Sequence, residues 1–126
     1  MYDNDPFSRW MGMELVSVGA GVCTLRMTVR AEMLNGFGVA HGGITFSLAD
    51  SAFAFACNSS GRHTVSIHCT VEHVAPVFEN DVLTAEAVED HLGNAVSNYA
   101  IRVTKQDGSA VAFFRGVAFR KKQVWE

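Results

Sequence analysis

One stretch constrains this chain more than any other. From His41 to Cys57 the residues are apolar or small on every helical face, with a single acid, Asp50, in their middle. An amphipathic surface helix shows one apolar stripe, whereas a helix apolar all round belongs in a core. The rest of the chain must therefore cover it. Asp is a poor helix former. A carboxylate withdrawn from water is costly unless it is paired or used, and the segment carries no Lys or Arg to pair with it. Burial is also how proteins tune carboxylates for chemistry, so Asp50 is the leading candidate for a functional group.

What covers the helix is read from the flanks. Phe7, Trp10 and Met11 have helical spacing and predict a short helix over 7–12. Strands are expected at 14–18 and 22–30, turned at Gly19-Ala20-Gly21. In the second, Cys23, Leu25, Met27 and Val29 alternate with Thr24, Arg26, Thr28 and Arg30, the period of a half-buried antiparallel strand. Residues 31–42 read as a loop containing Asn35, Gly36 and Gly38, and the long helix as 43–58, with Gly61 as its terminator. Four further strands follow near 64–75, 82–92, 95–105 and 110–120. Pro76 with Asn80-Asp81, then Gly93-Asn94, then Asp107-Gly108 separate them, the last two being hairpin formers. The expected architecture is a strand pair, a long apolar helix and an antiparallel meander. This is an α+β fold in which one curled sheet wraps a central helix, with residues 1–126 forming one domain. One side of the helix stays bare in such an arrangement, and a homodimer packing that side is the natural remedy.

Bulk properties exclude several function classes. The chain has 126 residues, 48% hydrophobic and 18% charged, with a net charge of −3. It is globular, and its charge argues against nucleic acid as main partner. No apolar run is long enough to span a membrane. Met1-Tyr2-Asp3-Asn4-Asp5-Pro6 lacks the basic and apolar regions of a signal peptide. Cys23, Cys57 and Cys69 are an odd count without close pairs, suited to buried thiols in a reducing cytoplasm.

His41-Gly42-Gly43 opens the helix. The first amides of a helix lack intrahelical acceptors and lie at its partly positive end. Gly42 has no side chain to obstruct a ligand, so its N–H is placed to polarise a carbonyl and stabilise an oxyanion. Two glycines equally suit tight packing or a sharp turn. Eight residues separate Gly42 from Asp50, ~12 Å along a helix axis. A reacting carbonyl must lie within ~3 Å of both groups, so the two cannot serve one carbon from the same chain. Two chains with antiparallel helices can pair Gly42 of one with Asp50 of the other. If both residues are catalytic, the site is shared across a dimer interface.

Asn35-Gly36, His41-Gly42-Gly43 and Leu48-Ala49-Asp50 together resemble the hotdog-fold acyl-CoA thioesterases, most closely the phenylacetate-degradation type. The stretch from Met33 to Asn58 and Phe114-Arg115-Gly116 carry the likeness further, and it extends from about Phe7 to Arg120. The resemblance implies a curled sheet of five to six strands around one helix, dimers that pair into tetramers, and hydrolysis of acyl-CoA thioesters without metal or organic cofactor. It implies Asp50 as catalytic nucleophile or general base, Gly42 as oxyanion donor, Asn35 as the loop residue holding the thioester carbonyl or water, and His41 as a loop organiser. Gly43 and Ser66 are placed with the substrate, Ser66 as a strand serine that orients water. One departure concerns CoA: relatives often carry a basic residue before the proline that follows the helix, and here Ala75 precedes Pro76.

Other candidates fare worse. On an extended strand His63 and His68 point to opposite faces, as do His68 and His73, and His68 diverges from Cys69, so zinc is disfavoured. Cys57 has no base nearby in sequence and reads as core. Arg115, Arg120, Lys121 and Lys122 suit either CoA phosphates or a solvated strand end. Phe53, Phe55, Phe113, Phe114 and Phe119 read mostly as core, with some available to line an acyl pocket. The expected activity is hydrolysis of a small, aromatic, phenylacetyl-type acyl-CoA. The alternatives are a hotdog enoyl-thioester dehydratase, disfavoured because neither Pro6 nor Pro76 lies near the motif, and a non-catalytic acyl-CoA-binding module, which has little reason to bury Asp50.

Overall fold

The long apolar run forms α2 (Gly42–Asn58) in the computed structural model, which describes residues 2–125. Its flanks supply β1 (Glu14–Gly19), β2 (Val22–Thr28), β3 (Arg62–His73), β4 (Val82–Leu92), β5 (Val96–Thr104) and β6 (Ala110–Val124), preceded by α1 (Pro6–Met11). The strands make one antiparallel sheet in the order β1-β2-β4-β5-β6-β3. All six strands touch α2, which a flat sheet cannot achieve. The sheet therefore curls about the helix, as the apolar pattern demands.

The expected element types are present, with shifted ends. β2 stops at Thr28 rather than Arg30, β3 runs two residues earlier than expected, and β6 continues to Val124. The segment expected to be all loop contains a 3-10 turn at Ala31–Met33 and a bridge between Leu34 and Ala40. The meander holds only for β4, β5 and β6. β3 crosses over and pairs with β6 instead, which makes it an edge of the sheet.

α1 starts where Asp5 accepts a hydrogen bond from the Ser8 N–H and ends at Gly12, φ 73°. Met11 is buried, whereas Phe7 and Trp10 stack on each other outside. The core lies between α2 and the concave face of the sheet. Phe53 packs against Tyr99 and Phe114, and its ring lies on Gly116, where a β-carbon would come within 2.7 Å of it. Glycine in a strand interior is normally unfavourable; here it admits the ring. Phe113 and Phe119, read as core from sequence, are each 43% exposed on the convex face, because alternation along β6 sends Phe114 and Ala118 inward instead.

Candidate active site

The loop before α2 is pinned at several points. Ala40 N–H donates to Val77 O (2.7 Å) and His41 N–H to Met33 O (2.9 Å). Within it, Asn35 Oδ1 accepts from the N–H groups of Phe37 (2.9 Å) and Val39 (3.4 Å). The carboxamide oxygen is thus spent on the turn, and Nδ2 donates no hydrogen bond among the described residues. His41 is the N-cap of α2: its Nδ1 accepts from Gly43 N–H at 3.1 Å. One of the free donors at the helix start is satisfied in this way. The Gly42 N–H makes no hydrogen bond among the described residues, and Gly42 is exposed.

Two turns on, Asp50 is half-buried. It belongs to a stripe of Ser47, Asp50, Ser51, Ala54 and Asn58 that the sheet leaves partly open, so α2 is not buried on every side within one chain. Burial raises the Asp50 carboxyl above the usual aspartate range, and no neighbour among the described residues offsets it. Desolvation disfavours the charged form. The Asp50 charge in turn raises the thiols of Cys57 and Cys69, which places both near it. Burial is the larger cause at each, and pushes Cys57 up to about 12. Cys23 is pushed up to about 11 by burial alone. These thiols are poor nucleophiles.

β3 runs back alongside α2. A bulge between Ser66 and His68 resets its alternation, so Ser66 and Cys69 lie opposite the inward residues Ala118 and Gly116. Val71 and His73 continue that inner row opposite Phe114 and Ala112. His68 lies opposite Val117 on the other face. The same bulge removes the simple parity by which His63 and His68 were separated, and His63 instead stacks on Trp125 at 3.9 Å. Among the described residues no three His, Cys, Asp or Glu side chains gather as a metal site.

The four-residue step from Cys69 to His73 spans ~13 Å of strand, matching the ~12 Å from Asp50 to Gly42 on the helix. Cys69 accordingly sits by Asp50, and the His73 ring by Gly42, with Nε2 3.4 Å from where a Gly42 β-carbon would be. Sequence reasoning weighed His73 only as a metal ligand. A groove of about 400 Å³ lies at this end, lined in part by Ala40, Gly42, Thr45, His73, Ala75 and Pro76. A larger groove of about 710 Å³ lies on the convex face, between Glu72, Glu86, Arg102 and Arg115, on the far side of the sheet from α2.

Two residues of the basic cluster are engaged elsewhere. Arg115 pairs with Asp90 at 3.2 Å, and Arg120 donates to Gly93 O at 2.6 Å.

With this geometry the chain matches the thioesterase superfamily over residues 37–112. It is 43% identical over 120 residues to the acyl-coenzyme A thioesterase PaaI of Escherichia coli, covering 95% of this chain and 86% of that one. The chain belongs to the thioesterase superfamily. It has the hotdog fold and is a thioester hydrolase. The solved structure of E. coli PaaI superposes with a TM-score of 0.96 at 42% identity, over 98% of this chain and 90% of that one. Human acyl-coenzyme A thioesterase 13 is 30% identical over 112 residues, 84% of this chain and 79% of that one. A hypothetical thioesterase from Streptococcus pneumoniae, solved with coenzyme A, aligns at TM-score 0.86 and 25% identity, over 90% of this chain and 88% of that one. Among the described residues Gly42 thus presents an amide with no hydrogen-bond acceptor and Asp50 a carboxyl with no neighbour that offsets its burial. No described helix is long and apolar enough to cross a membrane.

Proposed function

We propose that this thioester hydrolase acts on small aromatic acyl-CoA substrates of the phenylacetyl type, in a site completed by a second copy of the chain. The observation that carries the reading is a raised carboxyl at Asp50 and an amide at Gly42, each without a partner among the described residues and too far apart in one chain to meet on one carbon. The likeness to E. coli PaaI supports the substrate class, and the S. pneumoniae relative solved with coenzyme A supports the CoA portion.

In this reading the thioester carbonyl oxygen rests on the Gly42 N–H of one chain, and Asp50 of the other faces the carbonyl carbon. His41 fixes the helix start by holding Gly43 N–H, and Asn35 Nδ2 helps hold the carbonyl or water. Ser66 stands on the inner row of β3 with Cys69, where it meets substrate or water. Asp50 acts either by drawing a proton from water as the water oxygen bonds to carbon, or by bonding to carbon itself, in which case water then hydrolyses the acyl–aspartyl anhydride, releasing the acid and restoring the carboxylate. The carbonyl pair moves onto oxygen, held by the amide. The C–S bond then breaks, its electron pair leaves on sulfur, and the thiolate takes up a proton. A carboxyl of raised pKa is the stronger base. A thioester is already activated, so a carboxylate and an oxyanion donor suffice without a Ser-His-Asp triad.

The test is thiol release from a panel of aromatic and aliphatic acyl-CoAs by wild type and Asp50→Asn. Aromatic thioesters should turn over fastest, and Asp50→Asn should lose at least ~100-fold in kcat while keeping its fold. Preference for long aliphatic chains would contradict the substrate class. An active Asp50→Asn would contradict the role of the carboxylate.

A further inference from the structure

The groove beside Gly42 contains a side chain to which the reading above gives no task. His73 is the last residue of β3, held by pairing opposite Ala112 and followed by a Val74 N–H to Val111 O bond of 2.9 Å. Its backbone is therefore fixed by the sheet, while the residue itself is exposed. It lies on the inner face, and its Nε2 stands 3.4 Å from the β-carbon position of Gly42, with Cε1 at 3.6 Å. On an ideal backbone that position lies ~2.5 Å from the residue's own nitrogen. Nε2 and the Gly42 nitrogen are thus at most ~6 Å apart. Two N–H donors that share one oxygen at ~2.9 Å each must be no more than ~6 Å apart. His73 and Gly42 meet that condition, and the absent Gly42 side chain leaves open the space between them.

We propose that the His73 imidazole is a second donor to the thioester carbonyl oxygen, converging with the Gly42 N–H on the oxyanion. This rests on the reading of Gly42 as an oxyanion donor. As water or Asp50 bonds to the carbonyl carbon, the π pair moves onto oxygen. The Nε2–H and the Gly42 N–H stabilise it there, and His73 keeps its proton throughout. When the C–S bond breaks, the pair returns to the carbonyl. A donor aimed where charge develops acts on kcat rather than on ground-state binding. Of the groove's lining residues, Ala40, Ala75 and Pro76 carry no side-chain acceptor, and Thr45, which does, is buried.

The test compares wild type, His73→Phe, which keeps a ring but has no N–H, and His73→Gln, which keeps a donor of similar reach. Thiol release from phenylacetyl-CoA is measured beside affinity for its thioether analogue, in which a methylene replaces the carbonyl. His73→Phe should lower kcat by ~100-fold and leave thioether affinity within ~2-fold, and His73→Gln should recover at least ~10-fold. A wild-type kcat in His73→Phe, an equal loss of thioether affinity, or no recovery in His73→Gln would each overturn the proposal. Gly42→Pro, assayed alongside, separates the claims. A wild-type rate there contradicts the oxyanion role of Gly42, whereas a wild-type rate in His73→Phe contradicts only that of His73.

Discussion

Asp50 is held against its own stability. Its carboxyl is raised by burial with nothing among the described residues to offset it, so the folded protein binds that proton more tightly than the unfolded chain does. Linkage fixes the sign: the contribution of such a group to stability falls as pH rises from the ordinary aspartate range through the raised folded value. Asparagine has no charge to desolvate. Asp50→Asn should therefore match the wild type in Tm near pH 3 and exceed it at pH 7, while losing activity. Thermal melts at the two pH values check this, and a wild type that is more stable at pH 7 would mean the carboxylate is well paired in the assembled protein. At this scale the half-buried acid and the open helix start were legible from sequence. The composition around Asp50 marked it, and His41-Gly42-Gly43 marked the helix start. His73 was not legible, because its place beside Gly42 follows from β3 running back along α2, thirty residues further on, and no local pattern encodes that.

The elements themselves announced their types through periodicity, and their hairpins through Gly93-Asn94 and Asp107-Gly108. The pairing of β3 with β6 left no such mark, since it joins segments far apart in sequence with no shared turn. The bulge near Ile67 was equally hidden, because an extra residue in a strand looks like any other until its partner is known. Yet the bulge brings Ser66 and Cys69, three residues apart, to one face. Gly116 shows the converse, a strand glycine whose reason lies in another element. Its missing side chain makes room for the Phe53 ring. Gly116→Ala should force that ring away and cost about 1–3 kcal/mol, measured by denaturant unfolding. An unchanged midpoint would mean that Phe53 moves aside freely.

In the whole molecule, the open stripe of α2 and the edge of β3 lie together, and Val65 and Ile67 are exposed along that edge (42% and 57%). An uncovered apolar edge strand invites pairing. A two-fold axis crossing β3 between Cys69 and His73 would bring the Gly42 end of one chain to the Asp50 end of the next, which gives two equivalent composite sites. Complementation between two inactive variants tests this arrangement. Gly42→Pro removes the amide donor at a position where proline suits the first turn, and His41 already has φ −58° and ψ 137°, the conformation preferred before proline. Asp50→Asn removes the carboxylate. Each variant alone should be inactive. Coexpressed, they should form mixed dimers in which one site has both defects and the other has none, restoring ~25% of wild-type thiol release at random assortment. Coexpressed variants as inactive as either alone, although mixed dimers are isolated, would contradict a site shared between chains.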